Sequence, residues 1–112
     1  MSNRIDEIAG HANRSEKAIE SYLVRMVERA GGLALKYSNP YQAGYPDRLL
    51  LMPRGKTAWC ELKSRGKKPR PLQIQRHEQL KRLGYSVYVA DKKEDIDKII
   101  TDLTATEYEQ ID

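Results

Sequence analysis

The sequence predicts a mixed α/β domain whose elements follow the order α-β-β-β-α-β-α. Three observations indicate this: a helical spacing of apolar residues near the N-terminus, four short segments rich in strand-forming residues, and glycine or proline between the segments. A chain of 112 residues is long enough for one such domain and too short for two. We therefore expect a single domain over 1–112, with a core over about 15–103 and loosely ordered ends at 1–12 and 104–112.

The first helix is predicted from Ser15 to Ala30. Apolar residues recur there every three or four positions, which places them on one face of a helix. They are Ile19, Tyr22, Leu23, Met26, Val27 and Ala30. Asn13 and Glu16 have the spacing of a capping box at the start of this helix, and Gly31-Gly32 is a stop signal at its end.

Three strand candidates follow, and the second and third are predicted to pair. They are Leu33–Ser38, Asp47–Met52 and Thr57–Lys63. Pro53-Arg54-Gly55-Lys56 is a turn signal between the last two, so we expect an antiparallel hairpin. Leu49, Leu50 and Leu51 are consecutive, which predicts that the second strand is covered on both faces.

The rest of the chain predicts a helix, a strand and a final helix. Pro71 suits the first turn of a helix that runs to about Leu83, and Gly84 can end it. The segment from Tyr85 to Ala90 alternates and is rich in strand formers. Apolar residues at helical spacing mark the last helix, namely Ile96, Ile99, Ile100 and Leu103.

Composition and charge narrow the class of protein. No apolar run approaches the ~20 residues that cross a bilayer, and the N-terminus lacks the apolar region of a signal peptide. Cys60 is the one cysteine, so an internal disulfide is excluded and a buried, inert thiol is favoured. We expect a cytoplasmic protein with no membrane partner.

Positive charge is concentrated in the middle of the chain. Residues 63–82 hold eight Lys or Arg and one Glu, a net charge of +7, whereas residues 83–112 hold three Lys and eight Asp or Glu. A basic block attracts polyanions such as nucleic acids. A solvated, lysine-rich surface has the same composition, so charge alone leaves the two interpretations about equal.

Two short strings carry the candidate chemistry, Gly44-Tyr45-Pro46-Asp47 and Glu61-Leu62-Lys63. The predicted hairpin brings the start of one strand beside the end of the other, so Asp47 falls opposite residues near 62 and 63. Glu61 and Lys63 share a face because side chains alternate across a sheet. We therefore expect two carboxylates and an ammonium group at one edge of the sheet, although a one-residue slip in register would turn Asp47 away.

These groups suit the cleavage of a phosphodiester bond. The reaction builds negative charge on phosphoryl and leaving oxygens, which a hard divalent cation stabilises. Mg²⁺ prefers carboxylate and carbonyl oxygens, so Asp47, Glu61 and the backbone carbonyl of Leu62 are candidate ligands. Lys63 is a candidate for holding the attacking water. An ordinary cross-strand salt bridge is the alternative, but the order of the strings, with Asp47 and Glu61 14 residues apart, favours a site.

The chain resembles the VRR-NUC (virus-type replication-repair nuclease) branch of the PD-(D/E)XK nucleases. The resemblance rests on GYPD, WCELK and the PLQ of 71–73, which match the family's G-x-PD, E-x-K and glutamine in order, and it covers about Ser15 to Ala90. It implies a restriction-endonuclease-like fold, with a mixed sheet flanked by helices. It also implies cleavage of branched or flapped DNA that depends on Mg²⁺, for which Mn²⁺ substitutes.

Carried over by position, the resemblance makes Asp47 and Glu61 metal ligands, Lys63 the catalytic lysine and Gln73 a supporting active-site residue. The family also has a helix glutamate that serves the metal, directly or through water. Glu20 fits the family's helix pattern better than Glu16, whose charge also suits the N-terminal end of a helix. We therefore choose Glu20.

The resemblance also implies an assembly. Stand-alone members are similar to dimeric resolvases of four-way (Holliday) junctions, whereas the module in the Fanconi-associated nuclease acts as a single unit on flaps. We therefore expect a homodimer that resolves four-way junctions, with helix one or the acidic C-terminal segment as the interface. A flap nuclease and a non-catalytic DNA-binding module are the alternatives.

DNA contacts are expected from two loops. A basic loop at 64–71 follows the Glu61-Leu62-Lys63 strand, and its cations are placed to bind phosphate. These cations are Arg65, Lys67, Lys68 and Arg70. Tyr45, just before Asp47, is expected to contact DNA, and Tyr41 is a second candidate. His77 has no His or Cys companion at metal-ligand spacing, which favours a structural role.

Overall fold

Seven helices and strands follow one another in the predicted order within residues 15–105, which are the residues that the computed structural model describes. They are α1 (Glu16–Arg29), β1 (Leu33–Lys36), β2 (Arg48–Leu51), β3 (Thr57–Leu62), α2 (Pro71–Arg82), β4 (Ser86–Ala90) and α3 (Lys93–Thr104). The predicted mixed α/β class and the order of its elements are confirmed. The segments 1–12 and 106–112, within the ends that we expected to be loosely ordered, lie outside the described residues.

Helix α1 begins at a serine cap. Ser15 has an extended backbone, and its hydroxyl accepts a hydrogen bond from the N–H of Ala18 at 3.2 Å. A short hydroxyl side chain is favoured at this position because it pairs an N–H group that the first helical turn leaves without a partner. The cap is therefore Ser15, while Asn13 of the predicted capping box lies outside the described residues.

The predicted glycine stop of α1 is confirmed. The N–H of Gly32 donates to the carbonyl of Val27 at 2.9 Å, and the N–H of Gly31 donates to that of Glu28 at 3.0 Å. This pair of bonds is the Schellman motif, which requires a residue in the left-handed region. Gly31 supplies it with a φ of +88°. The chain then turns directly into β1.

The four strands form one sheet in the order β1-β2-β3-β4. The pairs β1–β2 and β2–β3 are antiparallel, as predicted for the latter, and β3–β4 is parallel. In the hairpin, Arg48 pairs with Cys60 and Leu51 with Thr57. Continuing this register places Asp47 opposite Glu61, and not opposite 62 and 63 as predicted.

The connection in the hairpin explains the change of register. The N–H of Met52 donates to the carbonyl of Lys56 at 2.8 Å, so the connection is Pro53–Gly55 and not the predicted 53–56. Arg54 and Gly55 have φ values of 66° and 74°, so the chain reverses through two left-handed residues. Met52 therefore lies opposite Lys56 and not opposite residue 57, and every pair of the hairpin shifts by one residue. Asp47 and Glu61 are consequently on the same face of the sheet.

The hydrophobic core lies on one face of the sheet, beneath α1 and α3. It includes Ile19, Leu23, Val27, Leu50, Ala58, Cys60, Leu62, Ala90, Ile96, Ile99 and Leu103. The expected coverage of β2 on both faces is wrong: Leu50 is fully buried, whereas Leu51 is 36% exposed. The reason is that α1 packs on β1 and β3 and α3 packs on β4, so that Leu50 lies in the core with residues of both helices, while α2 packs against β4 at the other end of the sheet.

The cysteine and the helix lengths bear on two expectations drawn from the composition. Cys60 is buried in the core, as predicted, and burial raises the pKa of its thiol to about 12, so the thiol stays protonated. Among residues 15–105, every helix is too short and too polar to cross a bilayer.

Candidate active site

The predicted site lies at the end of the sheet where β3 ends and β2 begins. Asp47 immediately precedes β2, Glu61 is the penultimate residue of β3, and Lys63 follows it. The carboxylate of Asp47 accepts the N–H of Leu62 at 2.9 Å, and its carbonyl accepts the N–H of Tyr37 at 2.8 Å. Asp47 is therefore fixed through both its side chain and its backbone.

Glu61 is the central carboxylate of this site. It is 1% exposed although it carries an ionisable group. Gln73 Nε2 donates to its Oε2 at 3.3 Å, and Lys63 Nζ lies 3.9 Å from the same oxygen. The structure thus brings Lys63 and Gln73, both of which the sequence predicts for the site, to the side chain of Glu61.

His77 is a neighbour of Glu61 that sequence reasoning missed. Its Nε2 lies 3.4 Å from Oε1 of Glu61, and the residue is 5% exposed. The sequence favoured a structural role because His77 has no His or Cys companion. The signal that would have found it is its spacing from Gln73, since residues four apart lie on the same face of a helix.

The electrostatics of the site disfavour a second negative charge. The pKa of Glu61 is raised to about 8, mainly by burial and then by the hydrogen bond and the charge of Asp47. The charge of Glu16 adds to this rise, while Lys63 opposes it. Burial also lowers the pKa of His77, so its imidazole is neutral at pH 7. A cation beside the two carboxylates would favour their charged forms.

Glu20, the predicted helix glutamate, has a basic partner on β2. It forms an ion pair with Arg48 at 3.4 Å. Glu16, one helical turn earlier, is the helix carboxylate whose charge acts on Glu61. Within residues 15–105, no group of three or more acidic, histidine or cysteine side chains is arranged to hold a metal ion.

The oxygen donors at this end of the sheet fit Mg²⁺. Asp47 and Glu61 supply two carboxylates on one face, and the carbonyl of Leu62 is the backbone oxygen beside them. Mg²⁺ is usually held by one or two carboxylates and keeps waters or substrate phosphates as its other ligands. Two acidic side chains are therefore a sufficient protein contribution for this ion.

The loop before Asp47 packs closely on α2 through Gly44. Gly44 has a φ of +94°, and an added Cβ would lie 2.8 Å from Cγ of Leu72 and 3.1 Å from Cγ of Arg76. Pro46 is fully buried. The close backbone approach that this glycine allows helps to fix the position of Asp47.

Tyr45, which we expected to contact DNA, is engaged with α2. Its hydroxyl donates to Gln79 at 3.0 Å, and the guanidinium of Arg76 lies 4.7 Å from its ring centroid. Tyr41, the second candidate, is 93% exposed. The carboxamide oxygen of Asn39 accepts the N–H of Tyr41 at 3.0 Å, which supports the loop at this exposed ring.

The basic loop leaves β3 directly beside the carboxylates. All four of its predicted cations are exposed, namely Arg65, Lys67, Lys68 and Arg70. The loop is tied to the sheet because the N–H of Gly66 donates to the carboxylate of Asp91 at 3.0 Å. Positive charge is therefore presented next to Lys63.

Similar proteins are found both among known sequences and among solved structures. The chain is 42% identical over 79 residues to "Putative nuclease p44" of Acyrthosiphon pisum secondary endosymbiont phage 1, and the match covers 70% of this chain and 85% of that one. A solved structure described as a VRR_NUC domain matches with a TM-score of 0.73 and 34% identity, covering 76% of this chain and 92% of the other. No family model matches the chain.

The raised pKa of Glu61 predicts that the metal-free protein loses stability as the pH rises. The folded carboxyl keeps its proton up to about pH 8, whereas the unfolded group releases it near its ordinary value of 4.5. The folded state binds more protons between these values, so the free energy of unfolding falls across that window. Glu61→Gln removes this titration and should raise the free energy of unfolding at pH 8.5 by about 2–4 kcal/mol.

Urea unfolding in the presence of a chelator, at pH 5.5 and pH 8.5, measures this difference. Glu78→Gln is the matched control, because Glu78 is an exposed glutamate on α2. Equal free energies of unfolding for wild type and Glu61→Gln at pH 8.5 would contradict the prediction.

Proposed function

Because the chain belongs to the VRR_NUC family of nucleases, we propose that it is a metal-dependent endonuclease that hydrolyses phosphodiester bonds in branched DNA. The resemblance seen in the sequence, and the fold that it implies, are confirmed by the match to a VRR_NUC structure. The observation that supports the proposed chemistry is the buried Glu61, which shares a face of the sheet with Asp47 and is contacted by Lys63 and Gln73.

Each residue of the site has a role in this proposal. Asp47, Glu61 and the carbonyl of Leu62 would hold Mg²⁺ or Mn²⁺, which when bound supplies positive charge for the developing phosphoryl charge and lowers the pKa of water. Lys63 supplies a second positive charge, beside Glu61, and orients the attacking water. Gln73 holds the Oε2 atom of Glu61 in position.

In this proposal Glu16, and not Glu20, is the helix glutamate that serves the metal. Arg48 neutralises Glu20, whereas Glu16 raises the pKa of Glu61 through its charge and so lies on the side of the acidic pair. Glu16 is exposed, which suits an outer position where it would act through water.

DNA binding is assigned to the exposed groups around this end of the sheet. The cations of the basic loop face solvent beside Lys63 and are free to bind phosphates. Tyr41 replaces Tyr45 as the tyrosine that contacts DNA, because its ring is exposed while that of Tyr45 is held by Arg76 and Gln79. An exposed aromatic ring can stack on a base that has lost its neighbour, as at a branch point.

The preferred substrate in this proposal is a four-way junction, cut by a homodimer. One chain supplies one set of Asp47, Glu61 and Lys63, so paired incisions need two chains related by a two-fold axis. The apolar stripe of α1 is used in the core, which leaves it unavailable as an interface. The acidic segment 106–112 lies outside the described residues.

A different surface suits the dimer interface. The outer face of β1 and β2 carries leucines that pair across the two strands, Leu33 with Leu51 and Leu35 with Leu49. Leu33 is 55% exposed and Leu35 is 43% exposed. A second copy of the chain would cover this face, and β1 is the edge strand of the sheet within the described residues.

The first test of the proposal is metal-dependent cleavage. Asp47→Ala and Glu61→Ala should each lower the rate of cutting of labelled four-way junctions by about 100-fold or more, because each removes a ligand of the charge-stabilising ion. EDTA should abolish cutting by the wild type. Glu28→Ala, at an exposed position of α1, is the control and should cut normally. Full activity of either site variant, or of wild type in EDTA, would rule out the assignment.

The basic loop predicts salt-dependent binding without base preference. Replacing Lys67, Lys68 and Arg70 with Ala should reduce the slope of log K against log salt by roughly 0.9 for each phosphate that the loop no longer binds. Arg54→Ala with Lys98→Ala removes exposed cations outside the loop and serves as the control. An unchanged slope for the triple variant would mean that the loop does not touch the DNA backbone.

The leucine face predicts the oligomeric state. Light scattering of the wild type at micromolar concentration should give about twice the chain mass of 12.9 kDa. Leu33→Glu with Leu35→Glu should give a folded monomer that no longer makes paired incisions. Leu83→Glu, at a 70% exposed position after α2, should remain dimeric. A monomeric wild type that cuts flaps and leaves junctions intact would identify a flap nuclease instead.

A further inference from the structure

His77 and Gln73 hold the two oxygens of Glu61 from one face of α2. Gln73 Nε2 donates to Oε2 at 3.3 Å, and His77 Nε2 lies 3.4 Å from Oε1. The two residues are four positions apart, which is one turn of the helix. Each carboxylate oxygen of Glu61 therefore has its own nitrogen partner from the same element.

The surroundings of His77 indicate that its side chain forms a hydrogen bond and does not merely fill space in the core. The residue is 5% exposed but does not belong to the apolar core cluster. Its side chain contacts the carboxylate of Glu61. An ionised carboxylate only accepts hydrogen bonds, so when Glu61 is charged this contact requires the imidazole to carry its proton on Nε2.

We propose that His77 is a positioning residue that holds Oε1 of Glu61 through its Nε2–H, and that with Gln73 it keeps this carboxylate in one orientation beside Asp47. The consequence for cleavage rests on the proposed function, whereas the effect on the orientation of Glu61 exists without metal or DNA. Hydrogen-bond partners that orient a ligating carboxylate commonly change metal affinity about 10- to 100-fold. A pair of donors from one helix would fix both the position and the rotation of the carboxylate.

Two substitutions separate hydrogen bonding from packing. His77→Leu fills most of the space without a donor, while His77→Gln places an amide N–H near the position of Nε2. Gln75→Ala, at an exposed position of the same helix, is the control. Calorimetric titration of each metal-free protein with Mn²⁺, in the absence of DNA, should show binding weakened about 10- to 100-fold in His77→Leu and largely restored in His77→Gln. Wild-type affinity in His77→Leu, or equal losses in both variants, would overturn the proposal.

Crystal structures of the metal-free variants give a second measurement. Glu61 should keep one orientation in wild type and His77→Gln, and should rotate or occupy two conformers in His77→Leu. An unchanged Glu61 in His77→Leu would overturn the positioning role. If the wild type neither binds Mn²⁺ nor cuts junctions, the proposed function fails, and the orientation of Glu61 still decides the role of His77.

Discussion

The register of the β2–β3 hairpin is the constraint on which the site depends, and the hydrogen bond from the Leu62 N–H to the Asp47 carboxylate lies at its end. Side chains alternate across a sheet, so a slip of one residue would turn Asp47 toward the apolar core. The acidic pair would then be lost, and a carboxylate would be buried without a partner. Gln73 and His77 of α2 both contact Glu61, so the contacts between α2 and the sheet also depend on this register.

Local signals in the sequence were sufficient to predict the order and most of the bounds of the helices and strands. Helical periodicity, the glycine stop and the turn signal each act over a few residues, and each was confirmed. The predicted register was wrong because it depends on whether Lys56 belongs to the turn or pairs with Met52, which the backbone of Arg54 and Gly55 decides. An arginine with a positive φ leaves no mark in the sequence, since this conformation favours glycine or asparagine.

The site residues that belong to a single strand or to a single sequence motif could be predicted. Those that depend on contacts between separate helices and strands were harder to predict. Lys63 follows from strand alternation, and Gln73 from the family motif. The choice between Glu16 and Glu20 depends on Arg48, which lies on another element and neutralises one of them. His77 was missed because its partner, Glu61, comes from a strand, and the sequence indicates the contact only indirectly, through the four-residue spacing from Gln73 on one helix face.

The turn at Pro53–Gly55 lies at the opposite end of the hairpin from the acidic pair. It precedes β3, whereas the carboxylates lie where β3 ends, six residues along, which is roughly 20 Å of extended chain. Both Pro53 and Gly55 are exposed, and nothing lies within 4 Å of where a Cβ on Gly55 would sit. A fluorescent reporter attached to a side chain at this tip leaves the backbone reversal at Arg54 and Gly55 intact. It would also lie at the far end of the hairpin from the acidic pair.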